Sequence, residues 1–105
     1  MININNLYLE TFTTSSGEKL VNIPFGYFKE VENWTEEQFL EAYKPQQWDE
    51  IRKERNKLLA ESDWTQLSDV PLTSDESTQW STYRQLLRDI TTQEDPYNIS
   101  WPSKF

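Results

Sequence analysis

A chain of 105 residues has room for one modest hydrophobic core, and only 35% of its residues are hydrophobic; large aromatics, 14% of the sequence with five Trp among them, must do much of the filling. The net charge of −8, from 18 acidic against 10 basic residues, argues against nucleic acid and anionic membrane surfaces, both of which call for clustered positive charge. With no Cys and no His, disulfides, thiolate nucleophiles, Cys/His zinc sites and imidazole bases are excluded together.

In chain order, Met1-Ile2-Asn3-Ile4-Asn5-Asn6 has neither the basic nor the apolar region of a signal peptide, so no export is expected. Leu7, Leu9, Phe12, Leu20, Val21, Ile23, Phe25, Tyr27 and Phe28 then fall in short, partly alternating runs around Ser15-Ser16-Gly17-Glu18. Alternation on both sides of a Ser/Gly cluster predicts a β-hairpin, with Pro24 and Gly26 marking the end of its second strand. Two strands alone are marginal in water, so the hairpin is expected to pack on helices or on a partner.

The helical part opens at Thr35, which with Gln38 fits a capping box; Glu36 and Glu37 suit the positive end of the helix dipole. Pro45 should end this helix by restricting Lys44 to extended conformations, and a second helix should run from Pro45 to Glu61. Trp48, Ile51, Leu58 and Leu59 form its apolar side, with Arg55 inside the same stripe and in need of a carboxylate or carbonyl partner. Ser62-Asp63-Trp64-Thr65-Gln66 breaks the helix and a loop follows to Pro71. Thr73 and Glu76 form a second capping box, opening a helix to about Asp89 or Ile90 in which Trp80, Tyr83, Leu87 and Ile90 share a face, Leu86 flanks it and Arg84 lies on its other edge. The tail, Asp95-Pro96-Tyr97-Asn98-Ile99-Ser100-Trp101-Pro102, should be extended. The expected fold is α+β: an N-terminal hairpin or short strands (1–32) packed on a helical region (33–105) that consists of an antiparallel helical hairpin and the extended C-terminal tail.

No chemistry-bearing constellation stands out. Most carboxylates lie at helix starts or on exposed faces, where solvation and the helix dipole account for them, and a chain this small encloses little concave volume for an acid/base pair. No Asp-x-Asp-x-Asp-Gly metal loop is present, and no cofactor is expected. Arg52, Arg55, Arg84 and Arg88 could be read as an anion-binding cluster, but with acids interleaved among them they are expected to pair with Asp63, Asp69 and Asp89 and to fix the helix–loop–helix geometry. Trp64 and Trp80 are expected in the core. Trp101, in a tail with no helical face to join, is the better interface residue, with Tyr97 and Pro102 beside it.

The run Ile51-Arg52-Lys53-Glu54-Arg55-Asn56-Lys57-Leu58-Leu59, then Ser62-Asp63-Trp64-Thr65, then Tyr83-Arg84-Gln85-Leu86-Leu87-Arg88-Asp89, and finally Trp101-Pro102, resembles the phage tail assembly chaperone family over residues 50–102. Members of that family often carry Pro where this chain has Thr91-Thr92. The resemblance implies a structural motif of Arg52, Arg55, Asn56, Asp63, Trp64, Trp80, Tyr83, Arg84, Arg88 and Asp89. It also implies a protein acting in the host cytoplasm, whose partner is a phage tail-fibre or other tail protein; that it is no enzyme is the expectation from the absent His and Cys and the small acidic frame. A permanent place in the virion tail is the alternative. Residues 1–45 lie outside the resemblance; their hairpin would meet the partner by adding a strand.

Overall fold

The computed structural model describes residues 3–104; the Met1-Ile2 start read above for targeting lies outside them. The chain is α+β, and it divides into two compact units, Met1–Gln47 and Trp48–Phe105. Its elements are a 3-10 turn (Ile4–Asn6), strands β1 (Tyr8–Thr13) and β2 (Lys19–Pro24), helices α1 (Phe25–Glu30) and α2 (Glu36–Glu61), a 3-10 turn (Asp63–Gln66), helix α3 (Ser74–Arg88) and a last 3-10 turn (Ile90–Thr92).

In the first unit β1 and β2 form the expected antiparallel hairpin, with Tyr8 across from Pro24, Leu9 from Ile23 and Phe12 from Leu20. A three-residue loop closes it: Gly17 takes φ +90, its N–H donates to the Thr14 carbonyl, and the Thr14 N–H donates to the Glu18 carbonyl at 2.9 Å. A left-handed residue is what the last place in such a loop requires, and Gly adopts it without steric cost. The faces of the hairpin switch midway. Leu9 and Ile23 are buried as a pair and Phe12 and Leu20 are half-buried as a pair, although residues three apart in a regular strand point to opposite faces. The break falls at Asn22, whose φ is +52.

There the ladder is repaired from outside. Pro24 has no N–H for the Tyr8 carbonyl, which accepts from Gln46 Nε2 at 2.9 Å; the Glu10 N–H, in register with Asn22, donates to Gln46 Oε1 at 2.9 Å. One amide from α2 thus takes the place of a strand edge. Replacing Gln46 by Ala should lower the stability of the first unit by about 1–2 kcal/mol, two ordinary hydrogen bonds' worth; an unchanged urea midpoint would remove this role.

Helix α1 was not foreseen in the aromatic run that follows β2. It begins directly after Pro24 and ends in a left-handed turn at Asn33 (φ +56), where the Trp34 N–H reaches back to the Phe28 carbonyl at 2.9 Å. This bond folds the chain back on the end of the helix, one residue further than the usual closure of a helix C-terminus, and the apolar contact that goes with it is the stack of Trp34 on Phe28, 4.4 Å between ring centroids. Phe28 also meets Phe12, Tyr27 and Phe39, and Phe25 meets Phe39, so aromatic rings make up the centre of the unit. The contacts of the hairpin within this unit are with α1 and the opening of α2.

Helix α2 corrects a second expectation: it runs through Pro45 without a break. A proline inside a helix forfeits one backbone bond, here to the Glu41 carbonyl, and costs about 3 kcal/mol. Glu41 and Pro45 are both exposed, so that carbonyl is open to water, while buried Tyr43 just before and hydrogen-bonded Gln46 just after hold the backbone helical. The Thr35 capping box is present, with Gln38 N–H donating to Thr35 Oγ1 at 3.2 Å and Thr35 N–H to Gln38 Oε1 at 2.8 Å.

In the second unit Ile51, Tyr83, Leu87 and Ile90 are buried, together with Pro96. Helix α3 starts in the Thr73–Glu76 capping box, and its hydrogen bonds to Thr73 hold the Glu76 carboxyl below the usual range. Beyond Thr92 the tail has no helix or strand, but its first part doubles back. Asp95 accepts from the Tyr97 N–H and from Asn98 Nδ2, and the Gln93 side chain bonds both to the Ser100 carbonyl (3.0 Å) and to the Ser100 N–H (2.9 Å), closing the turn over residues 93–100.

Candidate functional site

Two features of the second unit use the residues singled out from the sequence: a buried clamp at the end of α2, and a groove on the outer side of α3.

The clamp is Arg84. The residue is 7% exposed; Nη1 donates to the Leu59 carbonyl (2.8 Å) and to Ser62 Oγ (2.7 Å), and Nη2 donates to Asp63 Oδ1 (2.9 Å). The last carbonyls of a helix have no partner within it and carry its negative dipole end, so a guanidinium there satisfies both. Ser62 in turn donates to the Leu58 and Leu59 carbonyls, and Thr65 Oγ1 donates to the Ser62 carbonyl at 2.7 Å. Ser62 and Thr65 are buried, which explains why the turn needs small hydroxyl residues at these two places. Arg84 Nε is buried without a partner in the structure.

The other residues of the expected pairing are placed differently. Arg52 pairs with Asp49 one turn earlier at 3.0 Å, since an i, i+3 neighbour is nearer than any loop acid. Arg55 donates to Asn56 Oδ1 at 2.9 Å, and Arg88 to Gln85 Oε1 at 3.5 Å. Gln85 Nε2 reaches both carboxylate oxygens of Asp89 at 3.2 Å, so an amide stands between Arg88 and Asp89. Asp69 has no ion pair among the described residues. Trp64 is not core: it is 48% exposed and lies edge-on to half-buried Trp80, 5.8 Å between centroids. The turn directs Asp63 and Ser62 to Arg84, which leaves Trp64 on the outside. Trp80 continues edge-on to Tyr83.

Tyr83 is buried, and its hydroxyl titrates above the usual tyrosine range, first because burial penalises the phenolate and then because Glu61 and Glu54 repel it. The folded chain therefore holds this proton more tightly than the unfolded chain. The associated stability is whole below about pH 10, the ordinary tyrosine value, and is lost as pH rises through the raised folded value. Urea titrations from about pH 9 upward should show a falling midpoint whose slope is smaller in Tyr83→Phe; an identical slope would exclude Tyr83 as its source. Tyr27, in the first unit, is also shifted upward, by burial and then by Glu32 and Glu18, and keeps part of the slope in either protein.

The groove lies where the tail runs beside α3. Leu86, Asp89, Thr92, Gln93, Ser100, Trp101 and Pro102 line a hollow of about 330 Å3. A second, of about 270 Å3, lies on the other side of Leu86 between Thr78, Thr82, Tyr83 and Ser103. Leu86 is 51% exposed and Trp101 is also open to solvent. Tyr97, expected to share this surface, belongs to the Asp95 turn and lines neither hollow. Leu86, which the sequence placed only at the flank of the helix face, is the residue common to both; its position one turn past Tyr83 on the outer side was the available signal. No group of His, Cys, Asp or Glu suited to a metal occurs among the described residues, and no helix is long and apolar enough to cross a membrane.

These features define a small acidic α+β protein whose last helix and tail form an open, largely apolar groove beside a buried arginine clamp. Residues 48–104 match the family described as phage tail assembly chaperone protein, and the chain belongs to that family. The match takes in the clamp, the groove and all of the tail but Phe105. The solution structure of protein CV0426 from Chromobacterium violaceum is similar, with a TM-score of 0.51 and 33% identity over 92% of this chain and 97% of that one. At that coverage most of the first unit has a counterpart there too, although the family model does not reach it. No functionally curated protein matches the chain.

Proposed function

We propose that this protein is a non-enzymatic module that binds a phage tail or tail-fibre protein and assists its folding, oligomerisation or attachment. The family makes a tail protein the client; the observation that carries the binding role is the open groove around Leu86, Trp101 and Pro102. Large apolar side chains held at a surface, outside the core, are characteristic of protein-binding patches. Tyr8 and Val21 on the hairpin are exposed as well and offer a second contact. The motif residues Arg84, Asp63 and Ser62 serve this role as scaffold, by fixing the helix end and turn from which α3 departs.

The working place of such a module is the host cytoplasm during assembly. Co-expressing a tail-fibre protein of the same phage, with and without this chain, tests the reading. More soluble, correctly assembled fibre in its presence is the expected result, and equal yields would sink it. Mass spectrometry of purified particles separates a transient helper, absent from the virion, from a resident tail component present in fixed stoichiometry.

A further inference from the structure

We infer that the groove along α3 takes a short extended segment carrying two apolar side chains and at least one Lys or Arg. This deepens, and rests on, the reading of the protein as a binder of a tail protein. Leu86 lines both hollows, with Asp89 bordering one and Thr82 the other, so the floor offers two apolar sockets with a ridge between them. Asp89, the C-cap of α3, and Thr82 are seven residues apart, roughly 10 Å at the usual rise of a helix. An extended strand covers that distance in about three residues, at close to 3.3 Å each. The tail from Ser100 to Ser103 runs along the same groove and forms its wall, with Trp101 and Pro102 as the apolar part of it.

Charge selects the occupant. Asp89 is the one ionisable group lining either hollow apart from the Tyr83 hydroxyl, and it has no ion pair among the described residues. Its neighbour Arg88 is turned to Gln85 Oε1, and the Gln85 amide lies between the two charges. No Lys or Arg lines the groove, and the whole chain carries −8. An acidic segment would meet Asp89 and the net field with no cation in the lining to offset them, whereas a basic one gains from both.

The test uses the full chain, labelled with nitrogen-15, and three synthetic peptides. The first has two Leu separated by two Ser and flanked by Lys; the second has Glu in place of Lys; the third has Ser in place of Leu. The first should shift the amides of Thr82, Leu86 and Asp89 and the Trp101 indole, and bind at least about tenfold more tightly than either of the others. Leu86→Glu, at an exposed position, should abolish those shifts with the amide spectrum otherwise unchanged, and Asp89→Asn should weaken binding about threefold and reduce its salt dependence. Equal binding of the Lys and Glu peptides, shifts located elsewhere, or no shifts at all would overturn the inference. Co-purification with a tail-fibre protein of the same phage keeps the two readings apart. Capture undiminished by Leu86→Glu rejects the groove and leaves the tail-binding role standing; peptide binding in the groove with no capture of fibre does the reverse.

Discussion

Arg84→Ala should destabilise the second unit by about 3–5 kcal/mol, from two hydrogen bonds of a charged, buried donor at about 1.5–3 kcal/mol each. The loss is not that of the ion pair. Asp63 is 67% exposed at its side chain, and an exposed carboxylate contributes only about 0–1 kcal/mol through such a pair. What the variant removes is the donor to the Leu59 carbonyl and to buried Ser62, at a helix end with no other charged cap. Two companion variants separate these contributions in urea unfolding. Asp63→Asn should cost less than about 1 kcal/mol, because Asn still accepts from Nη2. Arg84→Lys keeps the positive charge but cannot present two nitrogens in a fixed fork, and should recover less than half of the loss. If Asp63→Asn proved as costly as Arg84→Ala, the ion pair and not the helix end would be the source of stability.

The same residue shows how far the sequence could be read. That Arg84 needs an acid was legible from its place at the edge of an apolar stripe, and Asp63 was among the three acids available. The Leu59 carbonyl and the Ser62 hydroxyl were not legible, because a backbone acceptor leaves no mark in composition and the contact joins residues more than twenty positions apart. Both capping boxes were legible for the opposite reason: each is a four-residue pattern that is closed locally. Pro45 misled because its effect on a helix is local, while what keeps α2 continuous is the tertiary bond from Gln46 to β1 and the burial of Tyr43. The groove was half legible. Trp101 and Pro102 stood out as aromatic and rigid residues without a helical face, but Leu86 looks like any flanking leucine until the tail is laid beside it.

A comparable loss is expected in the first unit from Phe28→Ala, about 3–5 kcal/mol for removing a buried ring and leaving a cavity. Phe28 has no exposed surface, and its ring contacts Phe12 at 4.9 Å, Tyr27 at 5.3 Å, Trp34 at 4.4 Å and Phe39 at 5.6 Å. Neighbours drawn from β1, α1, the turn after α1 and α2 cannot all close on the space, because each is also tied elsewhere: Trp34 by its N–H to the Phe28 carbonyl, and β1 by Gln46. Aromatic pairing adds about 0.5–1.5 kcal/mol per well-placed pair beyond the area buried, so geometry should matter as well as volume. Phe28→Leu tests that point: it fills most of the hole but removes the edge-on and stacked contacts, and should cost about half as much as Ala. Amide exchange reads the loss locally. Protection at Phe39 and Tyr43 should fall by about two to three powers of ten in Phe28→Ala, the factor that corresponds to 3–4 kcal/mol. A loss in Phe28→Leu as large as in Phe28→Ala would mean that the rings hold the unit by their mutual geometry, and near-equal stability of all three proteins would mean that this cluster is not the core of the unit.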